Sequence, residues 1–129
     1  MTIEARLIGD WAEAYPQRGS LALVLPLAFE GSGSLHALRL RVEGISKPLD
    51  WIGCWHNGAL YPRPSALAVP VSVSCVFQGQ GQHAPVYMVA IEGKSAWTWN
   101  VLGEFQLRPG VARYVVRPNG PTSKAKQRT

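Results

Sequence analysis

This chain has little charge and little cysteine. Of its 129 residues, 16% are charged and two are cysteine. With a charged fraction this low and five tryptophans, an intrinsically disordered body is excluded. Met1–Asp10 does not resemble a secretion signal, and the apolar run Leu21–Phe29 is too short to span a bilayer. We therefore expect a cytoplasmic protein with no membrane partner, in which Cys54 and Cys75 stay reduced.

The sequence also lacks room for helices. Thirteen glycines and ten prolines are spread along the chain, and the longest stretch without either is Ser34–Glu43, ten residues. An average helix is about 11–12 residues long. The segments between these breakers are strand-length and rich in Val, Leu and aromatic residues, which predicts an all-β fold. The predicted strands are Thr2–Ile8, Ser20–Phe29, Leu35–Glu43, Val71–Gln78, Val86–Glu92, Ala96–Leu107 and Val111–Arg117.

Alternation of residue type assigns the faces of some strands. In Leu38–Val42 the apolar residues occupy one face, and Arg39 and Arg41 occupy the other. Ser20–Phe29 shows no clean alternation, which predicts cover on both faces. Pro26 within it indicates a strand edge or a bulge.

The connections follow from glycine and proline. Gln78–Pro85 is typical of a hairpin loop, and Pro109-Gly110 of a tight turn between two strands. Ile45–Pro70 contains four prolines and is predicted as a long aromatic-rich connection with one helical turn at Asp50–Trp55. Residues 119–129 are polar and basic, and are predicted as a flexible tail.

This order of elements limits the architecture. Three strands, a long connection and further strands are typical of a small Greek-key barrel of the oligonucleotide-binding (OB-like) type. About seven strands also suit a β-sandwich, and the order favours the barrel slightly. We therefore expect a single all-β domain at 1–118, either an OB-like barrel or a sandwich, followed by the tail at 119–129.

The positive charge lies at the C-terminal end. Residues 105–129 carry +6 without any acid, whereas residues 1–104 carry −1. A near-neutral body with a basic end is typical of a protein that meets an anionic partner, of which nucleic acid is the commonest. The alternative is a tail that only improves solubility.

Aromatic and basic residues together indicate single-stranded nucleic acid. Such a ligand is bound by aromatic side chains that stack on its bases, at about 1–3 kcal/mol per base, and by Lys or Arg on its phosphates. We predict that bases stack on Trp51, Trp55 and Tyr61, the three aromatic residues of the long connection. The predicted binding residues are Arg39, Arg41, Trp51, Trp55, Tyr61, Arg63, Arg113, Arg117, Lys124, Lys126 and Arg128. The alternative is that Trp51 and Trp55 cover the end of a barrel.

Two further tryptophans, Trp97 and Trp99, are two residues apart and share one face of a predicted strand. They could form a stacking platform for bases or for sugars, or pack into the core. The neighbouring Val101 favours the core.

No catalytic or metal-binding motif is present. Cys54 and His56 are close, but Cys75, His36 and His83 are scattered, unlike the paired ligands of structural zinc sites. Nucleophile elbows and phosphate-binding loops are also missing. We therefore predict a protein that is not an enzyme and needs no metal or cofactor.

The start of the chain resembles bacterial single-stranded-DNA-binding proteins in Leu7-Ile8-Gly9, a polar turn through Arg18-Gly19 and the apolar strand that follows. Those proteins end in an acidic tail, whereas this chain ends Lys124–Thr129, which is basic. The resemblance covers less than a quarter of the chain, and no site residue is taken from it.

A second function remains open. Small size, many strands and no catalytic motif also suit a protein-interaction module, such as a small inhibitor or assembly factor of a phage or mobile element. It would act through a strand edge or the Trp-rich connection. Homo-oligomer formation would favour this alternative.

Overall fold

The computed structural model describes residues 3–9, 11–17, 19–111 and 120–121. Every regular element in these residues is a β-strand, so the all-β prediction is confirmed. The described strands are β1 (Glu4–Leu7), β2 (Trp11–Gln17), β3 (Ser20–Leu35), β4 (Ala37–Val42), β5 (Leu49–His56), β6 (Ala59–Pro62), β7 (Leu67–Gln80), β8 (Tyr87–Lys94), β9 (Trp99–Val111) and β10 (Gly120–Pro121).

The strand pairings close on themselves. β3, β2, β9, β8, β4, β5 and β7 pair in that order, and β7 pairs back to β3. We name this closed path the strand ring. β1 lies beside β3 beyond the end of β2, and β6 lies beside β5 beyond the end of β4. Among the described strands, β2 and β9 form the one parallel pair.

Each strand of the ring contributes to one apolar core. On β4, Leu38, Leu40 and Val42 are buried in it, while Arg39 and Arg41 lie on the opposite face, as the alternation predicts. A fully buried leucine stabilises the fold by on the order of 1.5–3 kcal/mol. The core therefore fixes which face of each strand points outward.

β3 is covered on both faces, as its lack of alternation predicts. Leu23 and Leu25 pack in the main core. Val24 and Ala22 point the other way, into a second cluster. That cluster is completed by the buried residues Tyr15, Leu60 and Val76, with Ile52 and Trp55 partly buried against it.

Pro26 lies at a break between two partners of β3. β2 pairs with β3 as far as Val24, and β1 pairs with it from Leu27 onward. The Ile8 N–H donates to the Pro26 carbonyl oxygen at 2.8 Å. Since the N and O of one antiparallel residue point to the same neighbour, the missing N–H of Pro26 faces this break. The proline is therefore tolerated in an otherwise central strand.

The segment predicted as a long connection is mostly strand. Ile45–Pro70 contains β5, β6 and the start of β7, and the predicted helical turn at Asp50–Trp55 is wrong because those residues lie in β5. Between β5 and β6, Asn57 and Gly58 have φ of 50° and 77°. These left-handed values are those of a two-residue type I′ hairpin turn, for which Asn-Gly is the preferred dipeptide.

Two predicted turns are also wrong. β9 continues through Pro109-Gly110 and pairs there with β2, with Pro109 opposite Ala12. β8 begins opposite Leu107, so one edge of β9 is free of β8 at the proline, where a missing N–H is tolerated. Gln78–Pro85 does not close a hairpin, because β7 pairs with β3 and β5 whereas β8 pairs with β4 and β9.

Two residues of the predicted tail, Gly120 and Pro121, pair with Leu60 and Ala59 of β6. The remainder of that segment lies outside the described residues. Within the described ranges, the fold contains no helix with the length and apolar character needed to cross a membrane.

Candidate nucleic-acid interface

The outer surface of β4, β8 and β9 carries rows of facing side chains. Arg39 on β4 lies opposite Glu92 on β8, and Lys94 on β8 lies opposite Trp99 on β9. Arg39 points away from the core because Leu38 and Leu40 on either side of it are buried there, and Glu92 points outward because it follows the buried Ile91. Lys94 and Trp99 join them on this face, since the Arg39 Cζ and the Lys94 Nζ both lie over the Trp99 ring. We name this surface the cation–aromatic face, formed by Arg39, Arg41, Glu92, Lys94, Trp97 and Trp99.

A buried carboxylate organises the cations of this face. Glu92 is 8% exposed. Its Oε1 accepts from the Arg39 Nε at 2.5 Å, and its Oε2 accepts from the Arg41 Nε at 3.2 Å. Removing a carboxylate from water is costly unless paired cations offset the loss. The two bonds hold both guanidinium groups in fixed positions, and the three residues together keep one net positive charge.

Arg39 is held from a second side by an indole. Its Cζ lies 4.1 Å from the centroid of the Trp99 ring, and the Lys94 Nζ lies 5.6 Å from the same ring. A guanidinium over an aromatic face is stabilised by the ring quadrupole. Arg39 is therefore a preorganised cation, fixed before any ligand arrives.

Trp97 is exposed to an unusual degree. It lies in the turn that joins β8 to β9, and 91% of its surface is accessible. Tryptophan is highly buried on average. The core position expected for Trp97 is wrong, and Trp99 is also on the outer surface, beneath Arg39. Val101, opposite Glu92, is a further exposed apolar residue at 56%.

Trp51 and Arg63 come together, but away from this face. The Trp51 side chain is 4% exposed within the main core, and its Nε1 donates to the Gly53 carbonyl oxygen at 3.0 Å. The Arg63 Cζ lies 5.5 Å from the Trp51 ring centroid. Stacking a base on this ring would require the core to open, so Trp51 is placed as a structural residue.

The other predicted aromatics lie on the β5–β6 hairpin. Trp55 is partly buried in the second cluster, with its ring 6.4 Å from that of Tyr15. Tyr61 is 51% exposed, and its ring lies 6.4 Å from that of His56. The structure thus brings Arg39 and Arg41 together and separates them from these aromatics. The predicted residues Arg113, Arg117, Lys124, Lys126 and Arg128 lie outside the described part of the chain.

Sequence reasoning did not assign Glu92, Lys94, Trp97 or Trp99 to the site. One signal was present: in the predicted strand Val86–Glu92, Glu92 alternates with the apolar Val89 and Ile91, which places it on the face opposite to them. What could not be deduced is that this strand pairs with β4. Only that pairing places Glu92 beside two arginines.

No protein-family model matches this chain, and no curated protein matches it either.

Proposed function

We propose that this chain is a non-catalytic cytoplasmic protein that binds single-stranded DNA or RNA on the cation–aromatic face. The observation that carries the proposal is Arg39, held 4.1 Å above Trp99 and bonded to Glu92, beside the exposed indole of Trp97. Single-stranded nucleic acid is the ligand that offers both flat bases and phosphates in a regular repeat.

Each residue of the face has a role in this proposal. Trp97 stacks on a base, because both sides of its ring are open to solvent. Arg41, with a side chain 50% exposed, and Lys94 contact phosphates. Arg39 keeps Trp99 and Glu92 in place. The basic residues of 105–129 add contacts that weaken with salt.

A single strand fits this face better than a duplex does. Stacking on an indole requires the face of a base, and in a duplex those faces are already covered by neighbouring bases. A single strand can turn its bases outward at little cost, and stacking then contributes without selecting a sequence. We therefore expect weak sequence preference.

The proposal predicts a specific loss in Trp97→Ala. Deleting one stacked indole should weaken binding of a fluorescent oligo-dT by about 5- to 150-fold, the equivalent of 1–3 kcal/mol, with little change in the salt dependence. Fluorescence anisotropy measures both quantities. The matched control is Tyr61→Ala, which removes an exposed aromatic from the β5–β6 hairpin. A loss in the control but not in Trp97→Ala would move the site to the hairpin.

One observation favours a second candidate, a protein-interaction module. Trp97, Val101 and Met88 are exposed at 91%, 56% and 48%, and tryptophan is enriched among interface hot spots. Under this alternative the chain binds no oligonucleotide even at low salt. It associates instead with itself or a protein partner, and Trp97→Ala abolishes the association in analytical ultracentrifugation.

A further inference from the structure

The two cysteines are cross-strand neighbours. Cys54 on β5 lies directly opposite Cys75 on β7 in an antiparallel pair. Facing residues of such a pair have Cα atoms about 4.5 or 5.5 Å apart, according to their position in the ladder. Disulfides span Cα separations of about 4.4–6.8 Å. Either position therefore brings the two backbones within the range of a bridge.

Both side chains point to the same side of the sheet. Cys75 is part of the main core, and Cys54 packs against that core. A register shift beside Gly53 produces this arrangement, because it puts Cys54 on the core side two positions after the bulge begins. Burial, and then the charge of nearby Cys54, raise the pKa of Cys75 well above 9.0, which agrees with sulfurs that lie close together.

We infer that Cys54 and Cys75 form a reversible cross-strand disulfide when the chain meets hydrogen peroxide. In the structure both residues are free thiols. A shared metal site explains the proximity of the two cysteines less well, because the described residues include no group of three His, Cys, Asp or Glu side chains that could hold a metal ion.

Access decides the order of the reaction. Cys54 is partly exposed and Cys75 is fully buried, so peroxide reaches Cys54 first. Burial raises the pKa of the Cys54 thiol, so only a minor thiolate fraction reacts. This thiolate attacks one peroxide oxygen, the O–O bond breaks, and the released hydroxide takes up the proton that the thiol had lost, so that sulfenic acid and water form. The Cys75 sulfur then attacks the Cys54 sulfur, the S–O bond breaks, and a second water leaves with the Cys75 proton. Two thiols supply the two electrons that reduce one peroxide.

The bridge would join β5 to β7, which is one of the pairings that close the strand ring. It would also enclose β6 and the segment that carries Arg63 within a covalent loop. This inference does not depend on nucleic-acid binding, since neither cysteine belongs to the cation–aromatic face.

The test treats the reduced, full-length chain with hydrogen peroxide and then titrates thiols in denaturant. We expect the count to fall from two to none, the intact mass to fall by two hydrogen atoms, and dithiothreitol to restore both thiols. Non-reducing electrophoresis should show a monomer. Chymotryptic peptides that contain Cys54 and Cys75 should be joined.

Two variants separate the steps. Cys75→Ala should stop at the sulfenic acid of Cys54, which dimedone traps. Cys54→Ser changes a partly exposed position and should leave the buried Cys75 thiol titratable after the same treatment. Retention of both thiols in the peroxide-treated wild type would overturn the inference. A disulfide between two chains through Cys54, with Cys75 still free, would also overturn it.

Discussion

At the scale of the residue, Glu92 controls how the cation–aromatic face is built. It is a nearly buried carboxylate between two arginines, and one of those arginines also covers an indole. Such a group has opposite effects on folding and on binding an anion. It stabilises the packed strands by pairing the arginines, while it cancels part of the positive charge that a phosphate would meet.

Glu92→Gln should therefore lower stability and raise affinity. We expect the free energy of unfolding to fall by about 1–3 kcal/mol, because the partly exposed arginines keep some hydration but lose their charged acceptor. Oligo-dT should bind more tightly at low salt, since the face gains one positive charge. Urea unfolding and anisotropy measure the two effects.

The control for this variant is Glu104→Gln on β9, an exposed acid whose stability change should stay within about 0.5 kcal/mol. Equal stability losses in the two variants would show that the Glu92 pair does not stabilise the fold.

For single elements, alternation predicts which way a strand faces more reliably than glycine and proline predict where strands lie, since β2, β5 and β6 were not predicted as strands. Alternation of residue type correctly predicted the two faces of β4. Its absence in β3 correctly predicted that this strand is covered on both faces. The prolines of Ile45–Pro70 led to a wrong prediction, because Pro62 lies at the end of β6, beyond the residues of β6 that pair with β10, where its missing N–H is tolerated. The pairing of β4 with β8 joins segments far apart in the chain, and no local pattern encodes it.

The β5–β6 hairpin offers a test of the turn. Gly58 has a φ of 77°, which a residue with a Cβ adopts at a cost of about 1 kcal/mol. Gly58→Ala should reduce the free energy of unfolding by roughly that amount. Gly58→Asn should lose less, because asparagine tolerates left-handed backbone. Equal losses for Ala and Asn in urea unfolding would contradict the type I′ assignment.

For the whole molecule, two cysteine thiols and one tyrosine hydroxyl that are buried or partly buried make the stability of the fold sensitive to high pH. Burial is the main cause that raises the pKa of Cys54 and Cys75 above 9.0 and of Tyr87 above 10.0. Each group is neutral when protonated, and the folded state holds that proton more tightly than the unfolded state does. Their stabilising contribution is complete below pH 9 and is lost as pH rises through the folded-state values.

The urea midpoint should consequently fall as pH rises above about 9. Tyr87→Phe tests part of this effect. The Tyr87 hydroxyl donates to the Gln82 carbonyl oxygen at 3.0 Å and accepts from the Ala84 N–H at 2.7 Å. At neutral pH the variant should be less stable by about 1 kcal/mol. This difference should narrow above pH 10. A gap that widens with pH would contradict the sign of the Tyr87 shift.

One titration tests whether the cation–aromatic face binds single-stranded nucleic acid. Wild type and Trp97→Ala are titrated with oligo-dT of about 16 nucleotides at low and high salt, with tryptophan fluorescence and anisotropy followed together. We expect salt-sensitive binding and tryptophan quenching in the wild type, with most of that quenching lost in Trp97→Ala. Absence of binding at low salt, or quenching that is unchanged in the variant, would contradict this expectation.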